Sequence, residues 1–200
     1  FPFSRNNKNK LYLAYRRLFD IVLSLVGLFL ALLMLPFILI GNLIGNRGAL
    51  FYTQERVGQN GMPFKIFKYR TMVKNAEVGG AVWASKNDTR ITAFGKFLRI
   101  TRLDEIPQFF NILKGDMSLI GPRPERPYFV DELSQVIPFY ETRHIVKPGL
   151  TGWAQVKARY GSSVDDSLLK LQYDLYYIKH RGFLLDINII VKTLSTVIYF

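Results

Sequence analysis

An adjacent pair of carboxylates, Asp104 and Glu105, is the feature of this sequence best suited to chemistry. Arg99 and Arg102 precede the pair, and Arg123 follows it between two prolines. Because guanidinium groups bind phosphate oxygens in a fixed fork, carboxylates ringed by arginines indicate a site for an anionic, phosphorylated substrate. The plainer alternative is that two acidic residues at the start of a helix complement the helix dipole.

The spacing around the pair predicts a short apolar helix with Asp104 as its N-cap and Glu105, Ile106 and Pro107 in its first turn. The helix start and the arginines are expected to lower the pKa of Asp104. An ionised, partly exposed carboxylate can act as a covalent nucleophile toward phosphorus. Glu105 could bind a metal, orient the site or transfer a proton. Two carboxylates beside a diphosphate favour Mg²⁺ as the metal.

A second candidate group follows the pair in the chain. Arg123 lies in the segment Gly121-Pro122-Arg123-Pro124, whose prolines restrict the backbone, so that Arg123 could be a fixed phosphate clamp. The alternative is a surface arginine in a proline-rich turn. Trp153, Gln155 and Arg159 could contact a base or a sugar, although a tryptophan after a glycine turn is also a common packing residue.

Composition narrows the classes of function. The 200 residues fit one domain, and 27 Lys and Arg against 15 Asp and Glu give a net charge of +12. This balance favours nucleic acid, anionic lipid headgroups or phosphorylated ligands as partners. The absence of cysteine excludes disulfides, thiolate metal sites and cysteine nucleophiles. The two histidines, His144 and His180, are far apart in sequence, which argues against a His-based zinc site or a Ser-His-Asp triad.

Residues 21–46 form a run of 26 residues without a charge. As a helix this run is about 39 Å long, enough to cross a hydrocarbon core of about 30 Å. A single transmembrane span is one interpretation. However, Pro36 is expected to break the helix, and basic residues flank the run on both sides. The sequence therefore favours a re-entrant hairpin, broken near Pro36, that keeps both flanks in the cytoplasm.

The rest of the chain predicts a mainly helical α+β fold. Residues 50–56 and 64–72 are β-prone and are separated by a turn containing Asn60-Gly61, which is typical of a hairpin. Helices are predicted at residues 92–101, 106–113, 126–140, 167–178 and 183–200, the last of them either in the core or in the membrane interface. We expect three parts, namely a basic flank (1–20), the re-entrant membrane helix (21–46) and a catalytic domain (47–200).

Four blocks of this sequence resemble the bacterial sugar transferase family, the monotopic phosphoglycosyl transferases that start glycoconjugate assembly on polyprenol phosphate. The blocks are residues 54–58, residues 68–72, the run from Leu103-Asp104-Glu105-Ile106-Pro107-Gln108 through Gly121-Pro122-Arg123-Pro124, and residues 147–156. They occur in the family's order and extend the resemblance from about Arg16 to the C-terminus. The segment 121–127 also resembles the larger members, so the chain could be the catalytic part of such a protein.

The resemblance implies a ping-pong reaction with Mg²⁺ as cofactor. Asp104 matches the nucleophile that takes the phosphosugar from a UDP-sugar and releases UMP, after which polyprenol phosphate (undecaprenyl phosphate) accepts it. Glu105 matches the second acid of the pair, and Arg99 and Arg123 match phosphate-binding arginines. Arg159 matches by position alone, because Lys157-Ala158 replaces the family's Asn-Gly before it.

The resemblance also implies a location and a pathway. The product would begin an exopolysaccharide, a capsule, an O-antigen or a glycoprotein at the cytoplasmic face of the bacterial inner membrane, among anionic lipids. The family's re-entrant helix breaks at a Ser-Pro pair, whereas this chain has Leu35 before Pro36. The rival interpretation is a non-enzymatic, membrane-anchored basic module that binds acidic partners or lipids. A nucleic-acid-binding role has only the net charge in its favour, and no nucleic-acid partner is expected.

Overall fold

The computed structural model describes residues 10–76, 88–158, 161 and 163–198, with side chains as far as residue 195. The fold is a mainly helical α+β arrangement with one long apolar helix and two small sheets, as the sequence predicts. The helices are α1 (Lys10–Gly41), α2 (Ala93–Ile100), α3 (Gln108–Lys114), α4 (Pro127–Val136), α5 (Trp153–Lys157), α6 (Val164–His180) and α7 (Phe183–Ile198). The strands are β1 (Phe51–Val57), β2 (Pro63–Tyr69), β3 (Ser118–Ile120) and β4 (Gly149–Thr151).

The long helix α1 runs through the apolar segment without interruption. It includes Pro36, remains α-helical to Gly41 and ends in a π-helical turn, Asn42–Asn46. The predicted break near Pro36 is therefore not seen as an interruption of the helix. Its 32 residues correspond to a length of about 48 Å. Within the described residues, one helical stretch, Lys10–Asn46, is long and apolar enough to cross a membrane.

One face of α1 and its π-helical turn packs against the rest of the protein, and the opposite face is exposed and apolar. The buried residues form two groups, and within each group they lie three or four positions apart. Apart from one isoleucine they are small or polar: Asp20, Ser24 and Gly27 in the first group, and Ile38, Asn42 and Asn46 in the second. At Gly27 a side chain would collide with the ring of Phe109 in α3. The absence of a side chain therefore lets α1 lie directly on the helix that follows the acidic pair.

The predicted hairpin is present. β1 and β2 pair antiparallel from Phe51 opposite Tyr69 to Val57 opposite Pro63. In the connection Asn60 and Gly61 have φ angles of 55° and 77°, the left-handed conformations that these two residue types favour. Two side chains of one face of β2, Phe64 and Ile66, pack with Ile112 of α3. The hairpin and α3 therefore form one unit under the acidic pair.

The second sheet was not predicted. β3 and β4 pair parallel, with Ser118 opposite Gly149 and Ile120 opposite Thr151. Each strand has three residues, too few for an alternating pattern to be recognised in the sequence. The pairing places residues 121–124 against the loop before β4, where Gly149 N donates a hydrogen bond of 2.8 Å to Pro122 O.

The predicted role of Asp104 as a helix N-cap is wrong. α3 begins at Gln108, and the residue at its N-cap position is Pro107, which provides no side-chain cap. Asp104 lies one turn earlier, in a 3₁₀ turn formed by Leu103–Glu105. The chain enters this turn through Arg102, whose φ of 58° is left-handed. The carboxylates are therefore held in a tight turn between α2 and α3.

Candidate active site around Asp104 and Glu105

The acidic pair is positioned by a buried asparagine that joins α3 to β2. Asn111 is fully buried, and its side-chain oxygen accepts a hydrogen bond of 3.0 Å from Phe67 N. Its amide nitrogen donates to Lys65 O at 2.8 Å. These two bonds fix α3 against the edge of β2, because an amide side chain satisfies a backbone donor and a backbone acceptor together. Lys68, on the same strand, is thereby placed beside the acidic turn.

Two cations hold Glu105 through the same oxygen. Lys68 Nζ donates a hydrogen bond of 2.9 Å to Glu105 Oε1, and Arg123 Nη2 donates one of 3.0 Å to the same atom. The Glu105 side chain is 13% exposed, and that of Arg123 is 43% exposed at the rim of the site. Charge-assisted hydrogen bonds of this kind are the stronger ones, especially where water is largely excluded.

The two carboxylates have opposite pKa shifts. Burial disfavours the charged form of Glu105, but the attraction of Lys68 and Arg123 outweighs it, so that the pKa of Glu105 lies well below its usual value. Burial and the neighbouring charge of Glu105 together raise the pKa of Asp104. The predicted lowering of that pKa is therefore wrong, because Lys68, Arg99 and Arg123 only partly offset the burial of the carboxylate.

Asp104 is buried but accepts no hydrogen bond from the described residues. Its side chain lies beside a fixed negative charge and receives no charge-stabilising contact of its own, unlike Glu105. A carboxylate in this environment is less stabilised as an anion and is correspondingly a better nucleophile. The structure thus separates the pair into one carboxylate that is held and one that is free.

Arg99 lies near the pair without binding it. Its Nε donates a hydrogen bond of 2.9 Å to Thr71 Oγ1, in the segment that follows β2. Thr71 is buried, and its carbonyl oxygen accepts a hydrogen bond of 3.1 Å from Thr92 N, the N-cap residue of α2. This contact fixes the guanidinium on the α2 side of the site, where it contributes to the electrostatic field at Asp104.

The acidic pair also meets the requirements for binding a divalent cation whose remaining ligands come from the substrate. Mg²⁺ is commonly held in proteins by one or two carboxylates together with substrate phosphates. Glu105 Oε2 and the Asp104 carboxylate have no partner among the described residues. Those residues contain no cluster of three or more His, Cys, Asp or Glu side chains that would complete a cation site without substrate.

Comparison with known proteins identifies the family. The sequence model of the bacterial sugar transferase family matches residues 11–199. This chain belongs to the bacterial sugar transferase family. It is similar to the UDP-N-acetylgalactosamine-undecaprenyl-phosphate N-acetylgalactosaminephosphotransferase of Aeromonas hydrophila, with 44% identity over 94% of the chain and 44% of that protein.

Two further relatives are named as UDP-glucose:undecaprenyl-phosphate glucose-1-phosphate transferases. The protein of Xanthomonas campestris pv. campestris is 43% identical over 86% of this chain and 36% of its own length. That of Escherichia coli (strain K12) is 39% identical over 89% of this chain and 39% of its own length. The chain therefore spans less than half the length of these three relatives.

Within this member of the family, the structure brings together three of the five predicted site residues: Asp104, Glu105 and Arg123. Arg99 stands nearby, bound to Thr71, and Arg159 lies outside the described residues. Trp153 packs in a core cluster and stacks on Tyr176, at 6.2 Å between ring centroids, which agrees with its interpretation as a packing residue.

Sequence reasoning missed Lys68 as a site residue. The signal was present, since Lys68 begins one of the four blocks by which the chain resembles the family. It was not chosen because a lysine on a basic hairpin is usually a solvated surface residue. In the structure its side chain is 18% exposed and burial lowers its pKa, although the attraction of Glu105 opposes that shift.

Proposed function

We propose that this chain transfers a sugar 1-phosphate from a UDP-sugar to a polyprenol phosphate, giving a polyprenyl-diphospho-sugar and UMP. The observation that carries the proposal is the free Asp104 carboxylate beside Glu105, whose charge is held by Lys68 and Arg123. The relatives support the substrate classes, since their names specify undecaprenyl phosphate and a UDP-sugar. Because those names specify different sugars, the donor sugar is left open.

The proposed reaction has two displacements at one phosphorus atom. In the first, an Asp104 carboxylate oxygen attacks the phosphate that bears the sugar, the bond to the departing phosphate breaks and UMP leaves. In the second, a phosphate oxygen of the polyprenol phosphate attacks the same phosphorus and releases the Asp104 carboxylate. Each step forms one P–O bond and breaks one, so that Asp104 ends ionised as it began.

The remaining residues of the site are proposed to stabilise charge. Glu105 stays ionised because its pKa is low, which favours orientation and cation binding over donation of a proton. Arg123, at the exposed rim, is suited to bind the donor diphosphate. Arg99, on the α2 side of the site, is suited to strengthen the positive electrostatic field at Asp104. Mg²⁺, held by Asp104 and Glu105, would supply Lewis-acid stabilisation of the diphosphate oxygens.

We further propose that the exposed face of α1 is buried in the cytoplasmic face of the bacterial inner membrane. That face carries Phe29, Leu30, Leu32 and Leu33, each at least half exposed, and such a row is unfavourable in water. A polyprenol substrate also requires the site to lie at a membrane. The net charge of +12 would add attraction to anionic lipid headgroups.

Contacts at both ends of α1 support an arrangement in which both flanks of the helix lie on the same side of the membrane, as the re-entrant interpretation requires, over a span. Near the N-terminal end, the Tyr12 hydroxyl donates a hydrogen bond of 2.7 Å to Asp186 Oδ2 in α7. At the other end, Asn46 Nδ2 donates one of 2.7 Å to Arg70 O. A helix that crossed the bilayer would carry one end away from the domain on the cytoplasmic side, whereas both ends here are fixed to that domain.

The first test is UMP release from a panel of UDP-sugars with Mg²⁺ and undecaprenyl phosphate. We expect release by the wild type, loss of release on Asp104→Asn, and near-normal release on Asp131→Asn. Asp131 is a matched control because it is an exposed carboxylate of α4, away from the acidic pair and its partners. Without acceptor, the wild type should gain the mass of a phosphosugar, and Asp104→Asn should not.

Two results would contradict the proposal. Equal turnover by the wild type and Asp104→Asn would show that Asp104 is not the nucleophile. Absence of turnover with every donor, together with lipid or acidic-ligand binding that falls steeply with salt, would favour the rival interpretation as a non-enzymatic basic module.

A further inference from the structure

The position of Arg123 depends on its backbone, because its side chain is 43% exposed and Glu105 is its one ion-pair partner among the described residues. The segment around it, Gly121-Pro122-Arg123-Pro124, is irregular and contains two residues without an N–H donor. Such a segment cannot be held by the regular ladder of a sheet or the turns of a helix. Its conformation therefore depends on what binds its carbonyl groups.

Four successive carbonyl oxygens, from Pro122 to Glu125, each accept a hydrogen bond from a different residue. Pro122 O is bound by Gly149 N at 2.8 Å, and Glu125 O by Val57 N at 2.9 Å. Between them, Arg143 Nη2 donates to Arg123 O at 3.0 Å, and Arg56 Nη1 donates to Pro124 O at 3.2 Å. The carbonyl of Arg123 itself is therefore held by a side chain, that of Arg143.

Arg143 is itself fixed by buried partners. Its side chain is 5% exposed, and Nη2 lies 2.8 Å from an oxygen of Asp174 on α6, which is 2% exposed. Its Nη1 donates a hydrogen bond of 2.7 Å to the Tyr140 hydroxyl. Burial raises the pKa of Asp174 to about 6, so that its carboxylate is charged at neutral pH and can pair with Arg143.

We propose that Arg143, backed by Asp174 and Tyr140, is a positioning residue that holds the Arg123 backbone so that its guanidinium faces Glu105. This inference rests on the proposed function, because it assigns Arg143 an effect on the transfer through Arg123. Arg143 does not itself touch the acidic pair, so its loss should act only while Arg123 is present. That dependence separates positioning from a general contribution to stability.

The test is a double-mutant cycle that compares Arg143→Lys in the wild-type background and in an Arg123→Met background. The lysine keeps a charge opposite Asp174 but cannot bind both the Arg123 carbonyl and the Tyr140 hydroxyl. We expect kcat/KM for the UDP-sugar to fall on the order of tenfold in the wild-type background, mainly through KM. In the Arg123→Met background the further loss should be less than about twofold.

A milder pair of variants covers the case in which Arg143→Lys does not fold. Tyr140→Phe removes one buried hydroxyl that binds Arg143, and Tyr177→Phe removes one that binds Asp186 at 3.0 Å, away from Arg123. Tyr140→Phe should raise KM about two- to fivefold, and Tyr177→Phe should leave it unchanged even if both lower the melting temperature.

Each remaining outcome has a definite meaning. Equal losses in the two backgrounds, or equal effects of the two tyrosine variants on KM, would overturn the positioning role while leaving the proposed function intact. A wild type that releases no UMP would overturn the proposed function, and the inference with it.

Discussion

At the scale of single residues, the site separates two adjacent carboxylates by their partners. Glu105 has two cations on one oxygen, and Asp104 has no hydrogen bond from the described residues. Adjacent acids in sequence would share similar surroundings in an exposed loop. Here the 3₁₀ turn directs Glu105 toward Lys68 and Arg123, so that one acid is fixed in its charged form, whereas burial and the charge of Glu105 raise the pKa of the other, Asp104.

Lys68→Met tests this difference between the two carboxylates. It removes the less exposed of the two cations that bind Glu105. The variant leaves Glu105 with Arg123 alone, so that the pKa of Glu105 should rise and its charge should be less well fixed. We expect kcat/KM for UMP release to fall on the order of 100-fold, as for the loss of one preorganised charge-stabilising group. Steady-state kinetics of UMP release measures this, with circular dichroism as the check of folding.

Lys65→Met is the matched control, because Lys65 is exposed on the same strand and makes no ion pair with the acidic pair. Its kcat/KM should stay within about twofold of the wild type. A similar loss in both variants would mean that the charge of the hairpin matters and that the contact between Lys68 and Glu105 does not.

At the scale of elements, the sequence predicted those helices and strands whose residue pattern is recognisable within a short stretch of chain. The hairpin followed from β-prone stretches around Asn60-Gly61, and α2 from its apolar periodicity. The pairing of β3 with β4 could not be predicted, because it joins two three-residue strands far apart in the chain. The N-cap prediction for Asp104 failed for a related reason: tertiary contacts of α2 and β2 with the turn decide where α3 begins.

The candidate site was predictable to a similar extent. Asp104, Glu105 and Arg123 could be chosen because acids and a proline-bracketed arginine occur close together in sequence. Lys68 and Asn111 could not, because their contacts depend on how α3 lies against β2. The directions of the two pKa shifts depend on burial and on Lys68, neither of which the sequence displays.

Gly95→Ala tests how closely α2 must approach the segment after β2. A side chain at Gly95 would collide with the backbone carbonyl of Thr71, whose hydroxyl binds Arg99. Because a backbone group cannot rotate aside, α2 should shift, and we expect a loss of about 1–3 kcal/mol in the free energy of unfolding. Thermal unfolding in detergent should show a melting temperature lower by about 3–10 °C, together with reduced UMP release.

Gly182→Ala is the corresponding control, since the nearest atom to an added side chain there is His180 O at 3.8 Å, an ordinary contact. Its free energy of unfolding should change by less than about 0.5 kcal/mol. If both variants were equally stable, α2 would not depend on this close approach.

At the scale of the whole molecule, α1 and α7 present their apolar faces together. Tyr15 of α1 and Phe183 of α7 are in edge-to-face contact, with ring centroids 5.3 Å apart. The inner side of α7 is buried at Asp186 and Ile189, while Leu184 is 82% exposed and Val191 is 59% exposed. From the sequence, this helix could lie either in the core or in the membrane interface. In the structure its inner side is buried and its apolar outer side is exposed.

The arrangement of α1 predicts that both of its ends lie on the same side of the membrane. Because the chain has no cysteine, single cysteines introduced at Lys10 and Ala49, both exposed, can be labelled without background. A third, Met62→Cys, marks the side of the catalytic domain, since Met62 is 69% exposed in the hairpin turn. We expect a membrane-impermeant maleimide to label all three in inside-out vesicles and none in intact cells. Labelling of Lys10→Cys from outside the cell, with Met62→Cys still protected, would instead show that α1 spans the bilayer.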